Sequence, residues 1–279
     1  MATAELELFL ESVKSKSVNT IKSYKSQYNK LLKLVVTDAV HQNSQKTLMK
    51  LASEQVNSNS IQAMLNIGIL IRRLYDLPVE NMLAFRESNK KQLIADVKVS
   101  NQYLSALPTL KELQDFTQHL YDSKEYLDYA INWLLLEYNV RNADLAIELI
   151  TRRRDANEPA KNYLWVSPKK ITYIRNAYKT SDTYGTKEHI ITDKNFMLAI
   201  KYLLKCQNKK DTNKTCFFPT TEQAGYVVMK ATYQKLGSSV YFKIAVDTHR
   251  DNLQKIKEMG INRGTATDTI IESYDLENL

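Results

Sequence analysis

The chain has 279 residues, of which 43% are apolar, so it is long enough for one large or two ordinary domains with hydrophobic cores. Lysine and arginine number 39 against 31 acidic residues, and the formal net charge of +8 favours polyanionic partners without requiring one. No run approaches the ~18 apolar residues of a membrane span, and the first residues lack a basic segment followed by an apolar one, so a soluble protein is expected.

Helical periodicity fills the first third of the chain. Apolar positions recur at helical spacing over residues 5–34 with a break at 15–20, and further amphipathic stretches cover 44–54, 58–75 and 79–94. Six glycines and five prolines are few for this length, which also favours helix. We therefore predict a helical domain over residues 1–98.

A linker over residues 99–108 loses this periodicity and ends in a proline, and a second domain is predicted over 109–279. Thr109 with Glu112 forms a capping-box pattern, and residues 126–150 predict one or two long buried helices. Residues 163–166, 171–175 and 189–192 are β-rich and predict a small antiparallel sheet. Helices are expected again over 193–208, 221–236 and 249–259, with a last one before Tyr274. The fold class is mainly α with a small antiparallel β-sheet.

The two cysteines, Cys206 and Cys216, have no second pair or histidine set beside them. That pattern predicts reduced thiols in an intracellular protein and gives no metal site.

One arginine stands out because Arg141 is the single cation in a largely apolar run at 133–149. A charge in such a run is costly unless it meets an anion, which can be a bound phosphate or an internal carboxylate. Asp144 and Glu137 are the internal alternatives.

The segment Arg141-Asn142-Ala143-Asp144-Leu145 resembles the first catalytic arginine motif of the tyrosine recombinases and integrases, with Asn139 in place of the usual glycine. Thr20-Ile-Lys-Ser-Tyr24 is similar to the Thr-x-x-x-Tyr signature of the helical DNA-clamping domain in the same family. The resemblance implies a two-domain architecture, a helical clamp followed by an α+β catalytic domain. It also implies strand cleavage by the near-terminal Tyr274.

Cleavage of a phosphodiester by a tyrosine requires cations on the non-bridging oxygens and an acid for the leaving 5′ oxygen. The order that the family implies places Lys179 as the hairpin lysine and general acid, with Lys187 across the same turn as the second candidate. His249 and Arg250 then stand for the His-x-x-Arg element, although Asp247 replaces its histidine.

Two further positions depart from the family pattern. An alternative register puts Lys243 at the second arginine site, and the usual histidine or tryptophan before the tyrosine falls on Thr265. Tyr274 follows Arg250 by 24 residues, so the chain must turn back for both to reach one phosphate. Residues 260–264 supply that turn and carry Arg263, a further candidate phosphate ligand. The plainer alternatives are a surface arginine paired with Asp247 or Asp251, and a tyrosine that only packs.

The resemblance implies that cations of the amino-terminal domain contact DNA phosphates without reading sequence. The alternative is a solvated helix face. The candidates are Lys14, Lys16, Lys22, Lys25, Lys30, Arg72 and Arg73.

The resulting prediction is a site-specific recombinase or integrase that forms a 3′-phosphotyrosyl intermediate. A DNA-binding or architectural protein that has lost cleavage, and a topoisomerase of type IB, remain as alternatives. No metal or cofactor is implied, because the covalent intermediate conserves the bond energy. The expected partner is double-stranded DNA, with tetramers assembling on paired sites and no membrane association. The expected location is with DNA, in a prokaryotic cytoplasm or in a nucleus or viral factory.

Overall fold

Helices dominate the computed structural model, which describes residues 2–16, 18–35, 37–102, 107–208, 216–267 and 269–270. Contacts divide the chain into an amino-terminal unit, Met1–Asn101, and a carboxy-terminal unit, Gln102–Leu279. The prediction of a mainly helical protein with a small sheet is confirmed. Within the described ranges, no helix is both long and apolar enough to cross a membrane, and no group of three metal-ligating side chains comes together.

The amino-terminal unit consists of helices around one hydrophobic core, and side-chain caps mark two of their starts. Ser44 accepts a hydrogen bond from the backbone of Thr47, and Asn57 accepts one from Ser60, so each satisfies an amide that the first helical turn leaves unpaired. The last helix runs into the segment predicted as a linker. The helices are α1 (Ala2–Ser12), α2 (Val18–Leu32), α3 (Gln45–Ser53), α4 (Ser58–Leu74) and α5 (Glu80–Gln102).

A buried carboxylate joins α1 to the rest of this unit. Glu5 is 1% exposed and accepts hydrogen bonds from the Tyr28 hydroxyl, from the backbone of Val40 and His41, and from the His41 ring. Burial by itself raises the pKa of Glu5, but the hydrogen bonds from His41, Val40 and Tyr28 outweigh it and lower the pKa below its ordinary value. The carboxylate therefore remains charged and holds the first helix in place.

The carboxy-terminal unit begins with the predicted capping box. Thr109 and Glu112 exchange side-chain and backbone hydrogen bonds, which confirms that start. The helices of this unit are α6 (Leu110–Asp122), α7 (Tyr126–Tyr138), α8 (Ser181–Tyr184), α9 (Lys194–Asn208), α10 (Ala224–Ala231), α11 (Ser238–Thr248) and α12 (Leu253–Arg263). Helix α11 was not predicted, because its run of Val240, Tyr241 and Phe242 is apolar on several faces and lacks amphipathic spacing.

The sheet has four strands in the order β1-β2-β3-β4, namely β1 (Ile147–Ile150), β2 (Asn162–Val166), β3 (Ile171–Arg175) and β4 (Lys187–Ile191). The three predicted strands pair antiparallel, as expected, but β1 pairs parallel with β2 and makes the sheet mixed. The prediction of helix over residues 147–150 is wrong. Helix α7 ends at Tyr138, because Asn139 adopts the left-handed conformation, and the apolar run continues as a buried strand.

One face of the sheet packs on α7 and α9. The core there contains Ala130, Ile131 and Leu134 of α7, all fully buried, against Leu164 and Tyr173 of the sheet. This packing places the end of α7, and with it Arg141, at the edge where β2 begins and β3 ends.

Candidate functional site

Arg141 follows a helix end of defined geometry. Asn139 caps α7 at φ 52° and ψ 35°, the left-handed region that favours glycine and that asparagine tolerates better than most residues. This explains why asparagine can replace the glycine expected at that position. The chain then extends through Arg141 and enters a short 3-10 turn, Asn142–Leu145.

Asp144 fixes this segment to the sheet. Its Oδ2 accepts a hydrogen bond of 3.0 Å from the Arg141 backbone and lies 2.6 Å from the guanidinium of Arg175. Asp144 is 1% exposed and Arg175 is fully buried, so the two charges form a buried ion pair. Asp144 is therefore not the partner of the Arg141 guanidinium, which was one alternative reading of the sequence, but a support for its backbone.

Arg175 and Lys187 are directly opposite each other on β3 and β4, and Asn162 is opposite Arg175 on β2. Side chains in such a cross-strand row point to the same face of the sheet. The row therefore brings two cations together at one end of the strands, where β3 ends and β4 begins. The ring of Tyr178 lies between them, 4.9 Å from the Arg175 guanidinium carbon and 4.7 Å from Lys187 Nζ.

The last turn of α12 completes the site. Its backbone carbonyl oxygens accept hydrogen bonds from three cations. Arg141 donates to the Arg263 oxygen at 2.5 Å, Arg175 donates to the Asn262 oxygen at 2.5 Å, and Lys187 donates to the Ile261 oxygen. We call Arg141, Arg175 and Lys187 the cation cluster. Cations at a helix C-terminus are favourable because the carbonyls and the helix dipole are negative there.

Two threonines close the same turn. Thr265 accepts a hydrogen bond of 3.0 Å from Arg141, and Thr180 donates one of 3.1 Å to the Gly264 oxygen. Gly264 has φ 69°, and a Cβ atom there would lie 2.1 Å from the Thr180 hydroxyl. Only glycine fits this position without displacement. Thr265 is the residue that stands where the resemblance expects a histidine or tryptophan.

Lys187 has an unusual acidity. Burial, followed by the nearby charges of Arg175 and Arg141, lowers the pKa of Lys187 to about 8, while Asp144 acts in the opposite direction. A lysine with such a pKa can give up a proton near neutral pH, which suits a general acid. Lys179, the lysine preferred from the sequence, is exposed at the start of the connection between β3 and β4.

The remaining sequence candidates occupy other environments. Arg263 is 1% exposed and donates to the backbone oxygens of Asn139 and Val140, so in this conformation it supports the end of α7 instead of facing a phosphate. Arg250 forms an ion pair with Asp247 at the end of α11, as the plainer reading of the sequence proposed. His249 is the C-cap of that helix.

Lys243 lies in the middle of α11, where burial lowers its pKa. Tyr274 lies outside the described residues. Of the helix expected just before it, residues 267, 269 and 270 are helical, and the remainder lies outside the described residues.

The amino-terminal cations divide into two groups. The lysines are exposed, as phosphate contacts require, and they are Lys14, Lys16, Lys22, Lys25 and Lys30. Arg72 is instead buried, and its guanidinium donates to the backbone oxygens of Pro78 and Asn43. The adjacent Arg73 is exposed, so of the two arginines predicted to contact DNA only Arg73 is accessible to solvent.

The sequence did not single out Arg175, Thr180 or the support that Asp144 gives. A cation at the end of a predicted β-strand is an ordinary feature, and no motif marked it. The one available signal was the strand itself, since alternate residues share a face and Arg175 is therefore on the same face as Tyr173.

Comparisons with known proteins leave the family open. No protein-family model matches the chain, and no curated protein matches it significantly. Among solved structures, the chain is similar to one described as the crystal structure of XerA recombinase, with 14% sequence identity and a TM-score of 0.38 over 99% of this chain and 94% of that one. Values this low do not assign the chain to a family.

Proposed function

We propose that this protein binds double-stranded DNA and breaks and rejoins a strand through a transient 3′-phosphotyrosyl bond on Tyr274, as a site-specific recombinase or integrase. The observation that supports the proposal best is the cation cluster, in which Arg141 and Lys187 meet at residues 261–265, about nine to thirteen residues before that tyrosine. A cluster of fixed cations is what a developing phosphorane charge requires.

In the proposed step, the Tyr274 phenol gives its proton to solvent water and its oxygen bonds to phosphorus. Arg141 donates to a non-bridging oxygen. The bond from phosphorus to the 5′ oxygen breaks, and Lys187 gives its proton to that oxygen, so a free 5′ hydroxyl leaves. Religation reverses each transfer. The exposed lysines of the amino-terminal unit position the duplex.

A suicide substrate tests the proposal. A duplex with a nick just beyond the scissile phosphate loses the short 5′-hydroxyl strand after attack and traps the covalent complex. We expect wild-type protein to form a complex that survives denaturing gels and Tyr274→Phe to form none. Tyr226→Phe removes an exposed phenol elsewhere and is the matched control, which should retain full trapping. Equal trapping by wild type and Tyr274→Phe contradicts the proposal.

A protein that binds DNA without cleaving it is the second candidate. The ion pair of Arg250 with Asp247 and the burial of Arg263 favour it. Arg250, the candidate for the second catalytic arginine, and Arg263, the further candidate phosphate ligand, both already have protein partners. Salt-dependent duplex binding without a covalent complex on any nicked substrate supports this candidate over the enzyme.

A further inference from the structure

The cation cluster is already occupied by the protein itself. Four consecutive backbone oxygens, those of residues 261–264, accept hydrogen bonds from Arg141, Arg175, Lys187 and Thr180. Arg141 also contacts Gly264 at 3.5 Å, and Lys187 also contacts Asn262 at 3.5 Å. These oxygens carry the partial negative charge of a helix C-terminus. The turn therefore offers the cations a set of negative acceptor oxygens, as a phosphate does.

We propose that this turn is a built-in competitor of the DNA phosphate. In this arrangement a phosphate exchanges with the carbonyls of residues 261–264 on Arg141 and Lys187, and the exchange releases the turn that precedes the segment bearing Tyr274. The inference rests on the proposed function for its DNA ligand. It adds an autoinhibitory contact that holds the site closed until DNA is bound.

The three members of the cation cluster differ in what they can exchange. Arg175 is fully buried and is paired with Asp144, so it stays in place as a fixed support. Arg141 and Lys187 are only half-buried, and their partners on the turn are backbone oxygens and one hydroxyl. Both can therefore pass to an incoming anion without leaving a carboxylate unpaired in the interior.

Weakening the turn should strengthen DNA binding, because a ligand's apparent affinity is reduced by the fraction of protein held in the closed state. Thr180→Val removes the hydroxyl that bonds to Gly264 and keeps the shape and all three cations. Losing one such bond should raise DNA affinity about 3- to 10-fold. Thr183→Val changes an exposed threonine of α8 and is the matched control, expected to leave affinity unchanged.

Gly264→Ala provides a second variant. Its Cβ would meet the Thr180 hydroxyl, and its backbone is in the left-handed region, so it opens the same turn by a different route. A far-ultraviolet spectrum and a thermal melt show whether this variant is folded. If it is not, Thr180→Val carries the test alone.

Hydrogen exchange on the full chain reports the turn directly. The amide of Thr265 bonds to the Gly260 oxygen and that of Gly264 bonds to the Ile261 oxygen, so both should exchange slowly in the free protein. We expect a short duplex, or inorganic phosphate at high concentration, to speed their exchange in wild-type protein but not in Arg141→Ala.

Each outcome decides between the two proposals. The inference is overturned if duplex binds through Arg141 while these amides stay protected from exchange. It is also overturned if Thr180→Val has the same DNA affinity as Thr183→Val. Both outcomes leave the proposed function standing. Absence of duplex binding overturns the proposed function. In that case, inorganic phosphate that still speeds exchange of the Gly264 and Thr265 amides supports the inference, as an exchange between an anion and the turn. If phosphate leaves their exchange unchanged, the inference is overturned.

Discussion

The guanidinium of Arg141 donates a hydrogen bond of 2.5 Å to the backbone oxygen of Arg263, 122 residues later in the chain. The guanidinium of Arg263 in turn donates to the backbone oxygen of Val140, the residue before Arg141. The end of α7 and the end of α12 are therefore tied together from both sides. A substitution at either arginine should therefore disturb the hydrogen bonds of the other.

Arg141→Ala should reduce covalent trapping on the nicked substrate by at least about 100-fold, because it removes the donor that the proposed mechanism places on the developing charge. Duplex affinity should fall much less, since the exposed lysines supply most of the attraction. Trapping and fluorescence anisotropy measure the two effects. Arg141→Lys, which keeps the charge but loses the fork of donors, should lie between wild type and alanine. Parallel loss of trapping and affinity would indicate a purely structural arginine.

Lys187→Ala should slow cleavage by about 100-fold or more, whereas Lys179→Ala should change it little. The two lysines flank the same connection, so each is a control for the other. A substrate with sulfur in place of the 5′ bridging oxygen separates acid catalysis from binding, because a thiolate leaves without a proton. Rescue of Lys187→Ala by that substrate identifies Lys187 as the acid. Rescue of Lys179→Ala alone assigns the role to Lys179.

The pH profile follows from the same group. Because the pKa of Lys187 is lowered to about 8, the proton needed by the leaving oxygen is present below that pH and is lost above it. The second-order rate constant for cleavage, measured below saturating DNA so that it reports the free protein, should therefore fall as pH rises through about 8 on the oxygen substrate and remain level on the sulfur substrate. A falling limb that persists with sulfur points to another titrating group.

Asp144→Ala should destabilise the protein by about 3–5 kcal/mol, because it leaves the buried charge of Arg175 without its partner. Urea unfolding measures the free-energy difference. The double variant Asp144→Leu with Arg175→Met removes both charges and should recover much of the loss. Failure of the double variant to recover any of it would show that Asp144 acts mainly through the Arg141 backbone.

His189 should make stability sensitive to acid. Burial and the neighbouring charges of Arg175 and Lys187 lower the pKa of His189 to about 4, so between its ordinary value and pH 4 the unfolded state binds more protons than the folded state. The free energy of unfolding should thus decrease as pH falls through that window. His189→Phe keeps a ring against Tyr138 and should show a shallower decrease, whereas exposed His119→Phe should match wild type.

Neighbouring arginines in the amino-terminal unit should behave in opposite ways. Arg72→Ala should lower stability by about 2 kcal/mol, because it leaves the Pro78 and Asn43 oxygens without their donor. Arg73→Ala should leave stability unchanged. It should lower the slope of log affinity against log salt concentration by about one, the value of one phosphate contact. Loss of DNA binding by a folded Arg72→Ala protein, with Arg73→Ala unaffected, would reverse this assignment.

Local features were predictable wherever nearby residues decide them. The capping box of Thr109 and Glu112 and the strands at Tyr163 and Ile171 follow from patterns a few residues long, and all are present. Helix α11 and strand β1 were missed because both are buried runs, and buried runs lose the alternation that separates helix from strand.

The sequence by itself determined that a cation sits in an apolar run at Arg141 and that lysines flank the connection after β3. Only the tertiary structure decided which lysine turns inward, which of two adjacent arginines is buried, and that Arg175 joins the site. The physical reason is distance along the chain. Charge and periodicity act over a few residues, whereas the partners of Arg141 and Lys187 lie 122 and 74 residues away and come together only when α12 packs against the sheet edge.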